Sequence, residues 1–114
     1  MKKILFVSND VMFWARVLSA AKTAGSDALR IADEASMEAA YRDGGASRVI
    51  VDLGFRALDL KAWAARWKAS PFPPQLVAFG SHVDAQALEA ARIAEFDVVM
   101  ANSQFHRSLA DWVA

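Results

Sequence analysis

The chain alternates short, strongly apolar runs with longer stretches whose apolar residues recur at helical spacing, five times over. No other feature restricts the fold as much, because strand-then-helix units in series build a parallel sheet covered by helices. Lys3-Ile4-Leu5-Phe6-Val7 opens the first unit as a continuous run of strand formers, suited to a strand buried on both faces. Ser8-Asn9-Asp10 then favour a helix start, and Val11, Trp14, Val17, Leu18 and Ala21 repeat at helical spacing up to a stop at Gly25. Ala28 to Ala32 predicts a second strand, and Met37, Ala40 and Tyr41 mark a short helix closed by Gly44-Gly45. Arg48 to Asp52 predicts the third strand. Leu60, Trp63, Ala64 and Trp67 form the stripe of the next helix, with Asp59 as N-cap and Pro71, Pro73 and Pro74 barring continuation. Leu76 to Phe79 predicts the fourth strand, followed by a helix capped by Asp84 with a Val83–Leu88 staple. Phe96 to Met100 predicts the fifth, and Ser103 is expected to cap a last helix with Phe105, Leu109 and Trp112 on one face.

Right-handed crossovers leave few topologies for so short a chain. The expected fold is α/β, a doubly wound five-stranded parallel sheet of flavodoxin-like order 2-1-3-4-5, in a single domain over residues 1–114. Hydrophobic residues make up 55% of the sequence, enough to build a core and too many for a disordered chain. Thirteen basic and thirteen acidic side chains cancel, which weighs against nucleic-acid binding and against a polybasic membrane contact. There is no cysteine, so disulfides, thiolate metal sites and cysteine nucleophiles are excluded. No apolar run approaches the ~20 residues that span a bilayer. A soluble, cytoplasmic protein is expected.

In open parallel sheets, ligands and chemistry collect beyond the carboxyl ends of the strands, at the switch point between strands 1 and 3. That rule selects a crevice made of Ser8, Asn9, Asp10, Asp52, Gly80, Ser81, Ala101 and Asn102. Asp52 stands out, because a carboxylate directly after Val49-Ile50-Val51 is poorly placed for simple solvation. It reads either as a nucleophile or metal ligand, or as a strand-end residue bonding the following loop. His82, beside the crevice, reads first as a solvated or capping residue, and His106 as an exposed one. Trp14, Trp63, Trp67 and Trp112 all fall on apolar stripes and read first as core, with interface use the sharper alternative for Trp112.

These residues resemble the receiver domain of two-component response regulators, over essentially the whole length. Val49-Ile50-Val51-Asp52-Leu53 resembles the segment carrying the phosphoacceptor, which puts Asp52 at that position. Lys3 to Asn9 resembles the first strand with its acidic pair, Gln75 to Ser81 the fourth strand, and Phe96 to Phe105 the fifth strand and its loop. The resemblance implies Mg²⁺ as a possible cofactor, held by Asp52, Asp10 and Asn9. It also implies protein partners: a histidine kinase or a downstream signalling protein. A homodimer is possible through the face of helix 4, strand 5 and helix 5, where Arg92, Arg107 and Trp112 lie.

The departures from the family bear on mechanism. Ser8-Asn9 stand where it places two acids, and Gly80 where it places Thr or Ser. Met100-Ala101-Asn102-Ser103 lacks the lysine that follows strand 5, and no aromatic occupies the middle of that strand. Phosphoryl transfer needs the charge on the transferring oxygens neutralised, which in receivers falls to Mg²⁺ and that lysine together. The leading expectation is therefore a non-enzymatic signalling module acting through protein contacts, with degenerate phosphoacceptor chemistry. A conventional Mg²⁺-dependent receiver phosphorylated on Asp52 is the alternative. A flavodoxin-like small-ligand binder ranks lower, since Val11-Met12-Phe13 are bulky where a phosphate loop needs small residues.

Overall fold

The computed structural model describes residues 2–55 and 59–114. Five parallel strands form one sheet in the order β2-β1-β3-β4-β5, the expected topology. The strands are β1 (Lys3–Val7), β2 (Asp27–Ile31), β3 (Ala46–Asp52), β4 (Gln75–Gly80) and β5 (Val98–Ala101). The helices are α1 (Val11–Ala24), α2 (Glu34–Asp43), α3 (Leu60–Lys68), α4 (Ala85–Ile93), α5 (Asn102–Arg107) and α6 (Leu109–Trp112). No helix among the described residues is long and apolar enough to cross a membrane.

The period-2 geometry of the strands splits the core into two layers. Ile4 and Phe6 of β1, Ile50 of β3 and Val77 and Phe79 of β4 face one way, where Phe13, Val17 and Ala21 of α1 meet Phe105 and Leu109. Leu5, Val7, Val49, Val51, Leu76 and Ala78 face the other way, under Met37, Trp63, Trp67, Leu88 and Ala91 of α2, α3 and α4. Trp63 and Trp67 are thus core residues, as the stripes implied. β1 and β3 are buried on both faces, which is why they read as continuous apolar runs.

Carboxylates start four of the helices. Asp10, Asp33, Asp59 and Asp84 each accept a backbone N–H three residues on, and Asp33 forms a reciprocal capping box with Ser36. Three local expectations fail. Val83 is 79% exposed, so it makes no staple with Leu88. Ser103 caps nothing: α5 begins at Asn102, directly off β5, with Ala101 in the cap position and no side-chain bond. The last helix is two short ones, because the chain leaves helical geometry at Ser108.

β2 begins one residue before the expected Ala28, and β5 begins at Val98 rather than Phe96. Phe96 is buried, but it closes α4 instead of opening a strand. Its N–H reaches back to the Ala91 carbonyl while Glu95 sits at φ 64°. This is the six-to-one bond of a Schellman ending, with glutamate where glycine is usual.

Candidate functional site

The carboxyl ends of β1, β3, β4 and β5 bring Val7, Asp52, Gly80 and Ala101 to one edge of the sheet. Ser8, the first residue beyond β1, has no exposed surface. Its hydroxyl donates to Asp52 Oδ2 at 2.7 Å and accepts the Asp10 N–H at 3.0 Å. Asp52 Oδ1 accepts the Gly54 N–H at 2.8 Å. The Ser8 carbonyl in turn accepts a hydrogen bond from Arg30 Nη1 at 3.1 Å. Both Asp52 oxygens are therefore held by neutral donors, one from the residue after β1 and one from the loop after β3. Such an arrangement fixes a carboxylate more than it activates one.

Asp10 faces away from this chemistry. Its Oδ1 accepts the Phe13 N–H at 2.9 Å, the ordinary bond of an N-cap, so only its backbone reaches Ser8. Asn9 is exposed. Among the described residues, no three His, Cys, Asp or Glu side chains converge where they could hold a metal ion. The expected Mg²⁺ set of Asp10, Asp52 and Asn9 therefore reduces to one already bonded carboxylate and one neutral amide. Mg²⁺ prefers octahedral oxygen ligation anchored by one or two carboxylates, and of the expected set only Asp52 offers a carboxylate that is not already capping a helix.

Gly80 is shaped by its neighbour Leu53. A Cβ at Gly80 would lie 3.1 Å from Leu53 Cβ and 3.2 Å from Leu53 Cδ1. Leu53 is buried, and its N–H is tied to the Phe79 carbonyl at 2.9 Å. A side chain at this end of β4 would press on the Leu53 hydrocarbon. Gly54 is similarly constrained, since a Cβ there would lie 3.1 Å from Asp52 Oδ1. Ser81 serves the next turn, its carbonyl accepting the Asp84 N–H at 3.0 Å. Ala101 ends β5 opposite Gly80 and puts a methyl group there, while Asn102 is exposed at the start of α5.

Behind the crevice runs an aromatic column. Phe6 stacks on Phe79 at 6.0 Å, and Phe79 on Phe105 at 4.2 Å with planes 8° apart. Phe13 packs on Phe105 at 5.7 Å and carries His106 stacked at 4.3 Å. The column joins β1, β4, α1 and α5 without using β5. Phe79 and Phe105 read only as core residues in the sequence. Their meeting depends on α5 folding back over β4, which no local pattern encodes.

Of the residues expected at an interface, Trp112 is engaged within the chain. Its Nε1–H donates to Ser108 Oγ at 2.9 Å, and the Arg48 guanidinium lies 5.4 Å from its ring centroid. Arg92 pairs with Glu89 at 3.5 Å on α4, and Arg107 is exposed on α5.

Comparison with solved structures settles the architecture. The receiver domain of the response regulator TorR, of the TMAO respiratory system, superposes with a TM-score of 0.81 at 13% identity, covering 97% of this chain and 92% of that one. The fold is that of a response-regulator receiver domain. HP1043, an orphan response regulator of H. pylori, matches with a TM-score of 0.75 at 12% identity, over 98% of this chain and 90% of that chain. The receiver domain of the sensor histidine kinase PA1611 from Pseudomonas aeruginosa PAO1 matches at 0.74 and 14% identity, over 98% and 97% of the two chains. That structure holds a magnesium ion coordinated in its active-site cleft. No protein-family model matches the sequence, and no curated protein does. The receiver fold is thus kept by a sequence far from these structures, and its crevice carries Ser8, Gly80 and Ala101 around Asp52.

Proposed function

We propose that this protein is a receiver-type signalling module that works through protein contacts and does not depend on phosphorylation of Asp52. The observation that supports this reading is the pair of bonds from Ser8 Oγ and Gly54 N–H to the two Asp52 oxygens. A nucleophilic carboxylate must offer a lone pair to phosphorus while cations gather the charge on the equatorial oxygens. Here each oxygen accepts a hydrogen bond from a neutral donor, and the crevice offers Ala101 in the lysine position in place of a cation. Asp52 then serves as a structural tie between the β1 and β3 loops, keeping the crevice in one arrangement for a protein partner to read.

The experiment is incubation with Mg²⁺ and phosphoramidate or acetyl phosphate, followed by intact-mass analysis. The expected result is no adduct. A base-labile gain of one phosphoryl group at Asp52, lost in Asp52→Asn, would establish the conventional Mg²⁺-dependent receiver instead. A histidine kinase would then be the upstream partner.

A further inference from the structure

At the end of the sheet opposite Asp52, the turns leading into β3 and β4 border a cavity of about 390 Å³. Tyr41, Gly44, Gly45, Trp67 and Ser70 form much of its wall. Gly44 and Gly45 both have positive φ, and a Cβ at either would meet nothing within 4 Å, so the α2–β3 turn leaves the mouth open. Trp67 is 2% exposed and its Nε1–H finds no hydrogen-bond acceptor among the described residues.

Phe72 borders the same cavity and yet is 90% exposed. It sits in Pro71-Phe72-Pro73-Pro74. Pro71 has its own φ fixed and Pro73 restricts the backbone of Phe72, so the segment that carries the exposed ring has little backbone freedom to lose on binding. A rigid aromatic side chain costs little entropy when it binds, which makes it a good anchor. A knob beside an aromatic-walled hole on one surface is complementary to itself under a two-fold axis, since each copy gives what the other receives. The net charge of zero removes long-range repulsion between copies, and Arg42 in the cavity wall and its exposed neighbour Asp43 carry opposite charges for reciprocal pairing.

We infer that this face is a homodimer interface, in which Phe72 of each copy enters the cavity of the other against Tyr41 and Trp67. The interface is separate from the face of α4, β5 and α5, and it does not rest on the reading of Asp52. Sedimentation equilibrium of the full chain over a roughly hundredfold concentration range should show a reversible monomer–dimer equilibrium. Phe72→Ala should raise its dissociation constant about tenfold or more. The circular dichroism spectrum should not change, because the ring contributes little to the fold. Dilution of the wild-type chain should move the Trp67 indole N–H resonance, and Phe72→Ala should abolish that concentration dependence. Arg92→Ala should leave the equilibrium unchanged. A monomer throughout the range overturns the inference, as does a dimer that survives Phe72→Ala or one that Arg92→Ala dissolves.

Discussion

The bond from Ser8 to Asp52 sets the sign of an energetic test. In a crevice crowded with carboxylates, neutralising one relieves repulsion and stabilises the fold. In this crevice Asp52 is tied to neutral donors, so Asp52→Asn should destabilise, by about 1–2 kcal/mol. Ser8→Ala should cost about 1–3 kcal/mol, since it strips a partner from both Asp52 and the Asp10 N–H in a fully buried spot. The double variant should lose less than the sum, because the two residues share one bond. Urea melts of the four proteins measure all three terms, and a stabilised Asp52→Asn would contradict the structural role. Gly80 gives a companion case. Gly80→Ser presses its Cβ on Leu53 and should cost about 1–3 kcal/mol, and combined with Leu53→Ala the loss should be smaller than the sum of the two single losses. Asp52 was legible in the sequence because a carboxylate at the mouth of a buried strand has few reasons to be there. Leu53 was not, since an apolar residue after an apolar run carries no signal until its neighbour across the sheet is known.

At the scale of elements, the strands and the caps at Asp59 and Asp84 were legible because each rests on local physics. Apolar runs make buried strands, and a short polar side chain before a periodic stretch offers its oxygen to the first turn. The failures are all places where the chain changes direction. Phe96 looked like the start of β5 because burial and strand propensity give the same apolar letter, while the backbone at Glu95 had already turned into the left-handed region. That turn supports a prediction. A non-glycine residue there carries about 1–2 kcal/mol of steric cost, and the Lys68–Glu95 ion pair is on the surface at 3.9 Å, where such pairs contribute little. Glu95→Gly should therefore stabilise the protein by about 1 kcal/mol and raise Tm by roughly 4 °C. A thermal melt checks it. Asp33 and Glu38 make a second case. Ser36 holds the Asp33 carboxyl below its ordinary pKa, chiefly through its backbone N–H, and the Arg66 guanidinium, by hydrogen bonding, does the same for Glu38. Groups with lowered folded-state pKa stabilise fully above their unfolded values near 4 and lose that contribution as pH falls through the folded values. Acid should accordingly weaken the wild type more than Asp33→Asn, and stability measured from neutral to acid pH will show the two curves converging.

Over the whole molecule, the receiver topology was legible because a five-fold alternation in a chain this short admits few sheets. The condition of the crevice was less so. Four strands and the loops after them build it, and each departure from the family matters only through what the others supply. That interdependence makes ion binding the decisive global property. A cation that binds only the folded form at one hundred times its Kd adds about 2.7 kcal/mol to stability, roughly 10 °C in Tm for a domain of this size. With one carboxylate already bonded to Ser8 and Gly54, the protein should show no Tm difference between MgCl₂ and NaCl of matched ionic strength. Asn9→Asp places a second carboxylate beside the crevice, so it should lower Tm in NaCl by repulsion with Asp52. If the fold is intact and only the charge set is missing, Mg²⁺ should then raise the variant's Tm and leave the wild type's unmoved. A wild-type Tm that climbs with Mg²⁺ would mean that Asp10 leaves its cap to join Asp52, and the crevice would then be a working metal site after all.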